Sequence, residues 1–147
     1  MTDKIRVPKA LEGSVGFLLS KLSQRLVQTA ADRLPNLKIQ ARHVGVMTVV
    51  SEWGPSSQKT IGDTLQIDRT TMVGLVDELE SLGLVTRSPD PADRRAALVN
   101  LTSDGGRVLR TAWTIIESLE ANFLRPLSAK QRAQFLVMVK TLFHGEK

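Results

Sequence analysis

The sequence predicts a mainly α-helical fold that carries one small β-hairpin. Three observations lead there. Apolar residues recur at i, i+3, i+4 and i+7 along most of the chain, the period of helices with one buried stripe. The period changes to two only between Leu84 and Leu101, around a tip rich in proline and charge. Strong stops at Pro35, Gly54-Pro55, Gly83 and Pro126 divide the helical text into segments of ordinary length.

The first long helix spans Gly13 to Leu34, with Val15, Leu18, Leu19, Leu22, Leu26, Val27 and Ala30 on its apolar side, until Pro35 ends it. A second runs from about Gln40 to Glu52 and turns Val44, Met47, Val50 and Trp53 inward. Ser57 can cap a short third helix to about Leu65, with Ile61 and Leu65 inward. After a tight connection at Gln66-Ile67, Asp68 caps a fourth, and Ile67 and Met72 occupy the staple positions around that cap. Met72, Leu75, Val76, Leu79 and Leu82 form its stripe, and Gly83 stops it. Leu84–Arg87 reads as a strand, residues 88–94 as turn chemistry, and Ala97, Val99 and Leu101 as the alternating face of a second strand. Thr102 or Ser103 caps a long helix to about Leu124, and Pro126 breaks it. Ser128 and Gln131 make a capping box for the last helix, which carries Phe135, Leu136, Val139, Leu142 and Phe143. Two short helices a turn apart, followed at once by a hairpin, are the winged helix-turn-helix order. The flanking N- and C-terminal helices are too apolar for so small a lobe to cover, which points to a second copy of the chain.

The 147 residues suit one compact domain with extensions for self-association. With no cysteine, the chain has no disulfide framework, thiolate zinc site, iron–sulfur ligation or thiol switch. The longest apolar run, Val44 to Val50, is far short of the ~20 residues that span a bilayer. The first residues show no signal-peptide pattern, so the expected location is the cytoplasm. The net charge is +5 and the isoelectric point about 10.0, which invites a nucleic-acid reading. The excess is not where that reading wants it: residues 1–54 carry +4, residues 55–110 carry −1 and residues 111–147 carry +2.

The stretch from Ile61 to Gly105 resembles the MarR (multiple antibiotic resistance regulator) family of bacterial transcription factors. It holds a helix-turn-helix, the exit Leu82-Gly83-Leu84-Val85, the wing pattern D-x-R at Asp93-Arg94-Arg95, and a V-x-L-T-x-x-G pattern at Val99, Leu101, Thr102 and Gly105. The flanking helices match in order and length, so the resemblance covers nearly the whole chain. One departure is Gln40, where Thr or Ser is more usual as a cap. The resemblance implies a single domain over 1–147, with dimerisation helices at 1–38 and 124–147, a winged lobe at 40–105 and a connecting helix at 103–124. It also implies a homodimer on a pseudo-palindromic stretch of double-stranded DNA, no cofactor, and release by a small aromatic or anionic effector. The effector pocket would lie between the dimer helices and the DNA-binding lobe, near His43, Met47 and Trp113.

The residues themselves support DNA contact. Base edges are reached from the N-terminal half of a recognition helix, and off its apolar stripe stand Asp68, Arg69, Thr70, Thr71 and Val73. Arg69 offers a fork of donors to guanine or phosphate, and the threonines offer hydroxyls and methyls. An arginine at a hairpin tip suits a narrow minor groove. By resemblance Arg95 is that arginine and Asp93 the residue that orients it, while Arg94 and Arg87 read as phosphate partners. Ser57, Gln58 and Lys59 are lesser phosphate candidates. Asp77, Glu78 and Glu80 are too acidic to face phosphate and read as a solvated face or as partners of nearby arginines. Gly74, unfavourable in mid-helix by about 1 kcal/mol, marks a close approach by the third helix or by DNA.

Alternatives are weaker. His43 suits a capped or packed position better than ligand binding, and two histidines without cysteine make a poor metal site. Trp53 and Trp113 read as core residues. No P-loop, G-x-G-x-x-G, G-x-S-x-G or H-E-x-x-H pattern supports an enzyme. A helical dimer acting through protein partners would use the same flanking helices; the wing argues for DNA instead.

Overall fold

The computed structural model describes residues 6–145. Residues 1–5 and 146–147, the outer ends of the segments assigned to dimerisation, lie outside the described residues.

A four-residue helix α1 (Lys9–Glu12) follows Pro8 and ends at Gly13. It is too short to show a period, and sequence reading misses it. In α2 (Val15–Arg33) the Ser14 hydroxyl accepts the Phe17 amide, and Pro35 turns the chain through a 3-10 segment (Pro35–Leu37). Then α3 (Ala41–Trp53) forms the centre of the fold. His43, Val44, Val46, Met47, Val49 and Val50 are all buried, so this helix is covered on nearly all sides rather than on one stripe. Against it pack α2, α4 (Gln58–Leu65), α5 (Arg69–Ser81) and α6 (Ser103–Phe123). The last helix, α7 (Ala129–His144), has the predicted capping box of Ser128 and Gln131.

The expected hairpin is the major part of a three-stranded antiparallel sheet in the order β1-β3-β2. Its strands are β1 (Ser56–Ser57), β2 (Val85–Pro89) and β3 (Ala97–Leu101). Arg87 faces Val99 across the hairpin, and Ser57 pairs with Leu98. Two residues cannot display alternation, so β1 has no sequence signal of its own. It nevertheless fastens the start of α4 to the wing.

Glycine does specific work at the joints. Gly83 takes φ +71 as α5 ends, and the Leu84 amide returns to the Leu79 carbonyl, closing the helix. A Cβ on Gly105 would stand 2.0 Å from the Leu84 carbonyl oxygen. Only glycine lets α6 start against the base of the sheet.

Two expectations about tryptophan need correction. Trp53 is 63% exposed, because α3 runs past the core before Gly54 turns the chain. Trp113 is also exposed, with its Nε1–H donating to the Thr48 hydroxyl at 3.1 Å. Much of the apolar surface of α2 and α7 stays exposed within one chain; Val15 and Val27 of α2 are 66% and 61% exposed, and Leu142 and Phe143 of α7 71% and 74%.

Candidate nucleic-acid interface

The α4–α5 turn sets the geometry. Gln66 adopts the left-handed conformation and the Ile67 amide bonds back to the Gly62 carbonyl at 2.9 Å. A Cβ on Gly62 would lie 2.9 Å from the Ile67 carbonyl oxygen, so glycine keeps the turn tight. Asp68 then caps α5. Its carboxylate accepts the Thr71 amide at 2.9 Å and the Thr71 hydroxyl at 2.6 Å. These bonds, the hydroxyl first, hold the Asp68 carboxyl below its ordinary pKa. Thr71 and Asp68 are thus committed to each other, whereas Arg69, Thr70 and Val73 are exposed along the outer face of α5. Gly74 lies on the same face, with nothing of this chain within 4 Å of a Cβ placed there. The third helix therefore does not explain it.

The wing tip is folded by its own acids. Asp93 Oδ1 accepts the Arg95 amide at 2.9 Å, and Asp90 Oδ1 accepts the Ala92 amide at 2.9 Å. Asp93 thus holds Arg95 through its backbone amide. A cleft of about 650 Å³ lies between the wing, α4 and the start of α5, and Ser57, Lys59, Arg69, Asp93 and Arg95 are among its lining. Gln58 also lines it. Thr70, Val73 and Arg94 are exposed outside it.

Arg87 departs from its expected role. Its side chain is only 24% exposed, and all its reach is used within the chain. It donates to Asp77 at 2.6 Å, to Glu80 at 3.2 Å and, through Nε, to Gln58 at 3.0 Å. It ties β2, α5 and α4 together, and phosphate would have to displace two carboxylates to claim it. The acidic run on α5 is thereby explained as arginine partners. Glu78 takes a third route, accepting from His43 Nε2 at 2.8 Å.

The expected effector set does not assemble. His43 and Met47 are buried, and neither lines the cleft of about 390 Å³ that Trp113 shares with Thr48, Ser51 and Arg110 between α3 and α6. The His43 ring is satisfied on both sides, since Nδ1 accepts the Gln40 amide at 3.0 Å. That bond also compensates the weak cap expected from Gln40. Histidine at this position gave only a packing signal, and its partner Glu78 is 35 residues away, beyond what spacing can connect.

Charge counting changes once the pairs are known. All eight acids of residues 55–110 accept from a donor within the chain: Asp63 from Lys59, Asp104 from Arg107, and the other six as described. Arg69, Arg94 and Arg95 make no ion pair among the described residues. A helix-turn-helix whose outer face and adjoining wing present unpaired arginines is a winged-helix DNA-binding protein.

The comparisons with known proteins make this specific. The sequence model of the MarR family matches residues 39–97. The repressor NicR of Pseudomonas putida is 26% identical over 140 residues, spanning 95% of this chain and 89% of its own. A MarR family regulator from Rhodococcus sp. RHA1 superposes with a TM-score of 0.84 at 26% identity, covering 92% of this chain and 96% of that one. BpsR of Bordetella bronchiseptica, whose DNA binding is regulated by 6-hydroxynicotinic acid, gives 0.84 at 26% identity over 95% of this chain and 100% of its own. Over residues 39–97 the chain matches the MarR family, and its fold and the relatives it resembles along nearly its full length are those of DNA-binding transcriptional regulators.

Proposed function

We propose that two copies of the chain bind a pseudo-palindromic duplex and repress the promoter that contains it. The start of α5 enters the major groove, carrying Arg69, Thr70 and Val73 to base edges and phosphates. Arg95 at the wing tip enters the adjoining minor groove, and Arg94 meets the backbone. Half-sites lie about one helical turn apart, ~10 bp. One observation carries this reading: every acid of residues 55–110 is engaged internally, while Arg69, Arg94 and Arg95 make no ion pair among the described residues. Segments 1–38 and 124–147 supply the dimer contact, which would cover the exposed apolar residues of α2 and α7. Selecting bound sequences from a random duplex pool, followed by footprinting, tests it. An inverted repeat is the expected product, and binding lost to nonspecific competitor DNA would refute it.

Regulation by a small aromatic acid follows from the resemblance to BpsR, and the α3–α6 cleft offers matching chemistry. Trp113 provides a ring and Arg110 the one cation of the lining among the described residues; Glu52 and Glu117 also line the cleft, so a ligand carboxylate would have to pair with Arg110 and keep clear of both. In a Trp53→Phe background, titrating hydroxylated aromatic carboxylic acids should quench Trp113 and release DNA over the same concentration range. DNA release without a Trp113 response would place the effector elsewhere.

A further inference from the structure

We propose that His43 is a positioning residue for DNA recognition: its neutral imidazole, set between the α3 N-terminus and Glu78, fixes the angle at which α5 is presented. The inference rests on α5 being the helix that reads DNA. Met72, Leu75, Val76 and Leu79 bury the inner face of α5. Apolar packing of this kind is not directional, and it leaves a helix able to roll. Directional contacts stand on the two flanks of that face. On one, Asp77 and Glu80 hold Arg87 of the wing strand. On the other, Glu78 holds His43, which is 3% exposed in the core beneath.

The ring can serve only one way round. The Gln40 backbone N–H is a donor that cannot reverse, so Nδ1 carries the lone pair and the proton resides on Nε2, aimed at Glu78. A neutral ring satisfies both partners, and no charge is buried. The same side chain therefore closes the first turn of the central helix and aligns the recognition helix. Removing Glu78 would free α5 to roll while leaving the apolar core intact.

The test compares Glu78→Gln with Glu78→Ala. Glu78 is 63% exposed, so both variants should fold. Both lose the same charge, but the glutamine carbonyl still accepts from Nε2–H. The probe is a duplex selected by the wild-type protein from a random pool, and the readout is its affinity relative to bulk random duplex. Glu78→Gln should stay within about twofold of wild type, and Glu78→Ala should lose roughly tenfold in that ratio. Amide exchange across α5 in the DNA-free protein should quicken in the alanine variant alone. Nitrogen NMR should find the His43 proton on Nε2. Equal selectivity of the two variants overturns the proposal, as does a proton on Nδ1. If the wild-type protein enriches no sequence, the DNA reading itself has failed. Equal α5 exchange in both variants would then overturn the alignment separately.

Discussion

Arg87 gives the sharpest test of how the lobe divides its cations. Replacing it with alanine removes donors to Asp77, Glu80 and Gln58 at once. The carboxylate partners are 61% and 44% exposed, so each ion pair belongs in the range of exposed pairs, ~0.2–1 kcal/mol. The Arg87 side chain is only 24% exposed, and loss of its covered stem adds a contribution of similar size. The sum is about 1–3 kcal/mol. Urea unfolding at fixed protein concentration should show it as a lower midpoint with an unchanged slope. Salt dependence of binding to random duplex provides the second reading. Each phosphate-neutralising cation contributes about 0.9 to the log–log slope. Arg87 is already neutralised within the chain, so Arg87→Ala should leave that slope unchanged. A slope flattened by about 0.9 per protomer, with stability intact, would refute the reasoning and return Arg87 to the phosphate contacts.

Other substitutions separate the remaining roles. Arg94→Ala should flatten the same slope by about 0.9 per wing, whereas Arg95→Ala should weaken binding to selected duplex by about 1–3 kcal/mol per site, and both should leave the sedimentation of the free protein unchanged. Gly105→Ala forces a Cβ to 2.0 Å from the Leu84 oxygen and should cost about 3 kcal/mol or more in urea, whereas Gly106→Ala, with nothing nearer than 3.7 Å, should gain up to ~1 kcal/mol. Gly74→Ala meets no atom of its own chain and should also gain up to ~1 kcal/mol in stability; lost affinity for selected duplex alongside that gain would mark close approach of DNA. The folded-state pKa of Asp68 is depressed, so its capping contribution is present above the unfolded value of about 3.9 and is lost as pH falls through the folded one. An NMR titration of the Thr71 amide should therefore turn over below that value, and Asp68→Asn should abolish the step.

The order of elements was legible because each boundary carries its own chemistry. Ser57, Asp68 and Ser128 cap the helices they were expected to cap, Thr102 rather than Ser103 caps α6, and Gly83 closes α5. What stayed illegible depends on contacts distant in sequence. The burial of α3 on nearly all sides comes from neighbours that a local period does not name. Trp53 follows the inward spacing of its helix, yet the helix outruns the core. Arg87 and Arg95 look alike as arginines on a hairpin; only the register that sets Arg87 opposite Val99, within reach of Asp77 and Glu80, distinguishes them.

The weak formal charge of the lobe is then no obstacle to binding DNA. Residues 55–110 sum to −1, but a polyanion meets local charges, and unpaired ones are felt over about a Debye length, ~10 Å at 0.1 M salt. Carboxylates bonded to Arg87, Lys59 and Arg107 lose most of their repulsion at that range, since each pair presents a small dipole. Asp68, Asp90 and Asp93 accept from backbone amides and so stiffen the cap and the wing on which the free arginines stand. The acids act as framework for a few placed cations, and specificity is helped by this: a uniformly basic lobe would bind every duplex strongly, whereas three arginines on a rigid mount bind well only where the grooves meet them.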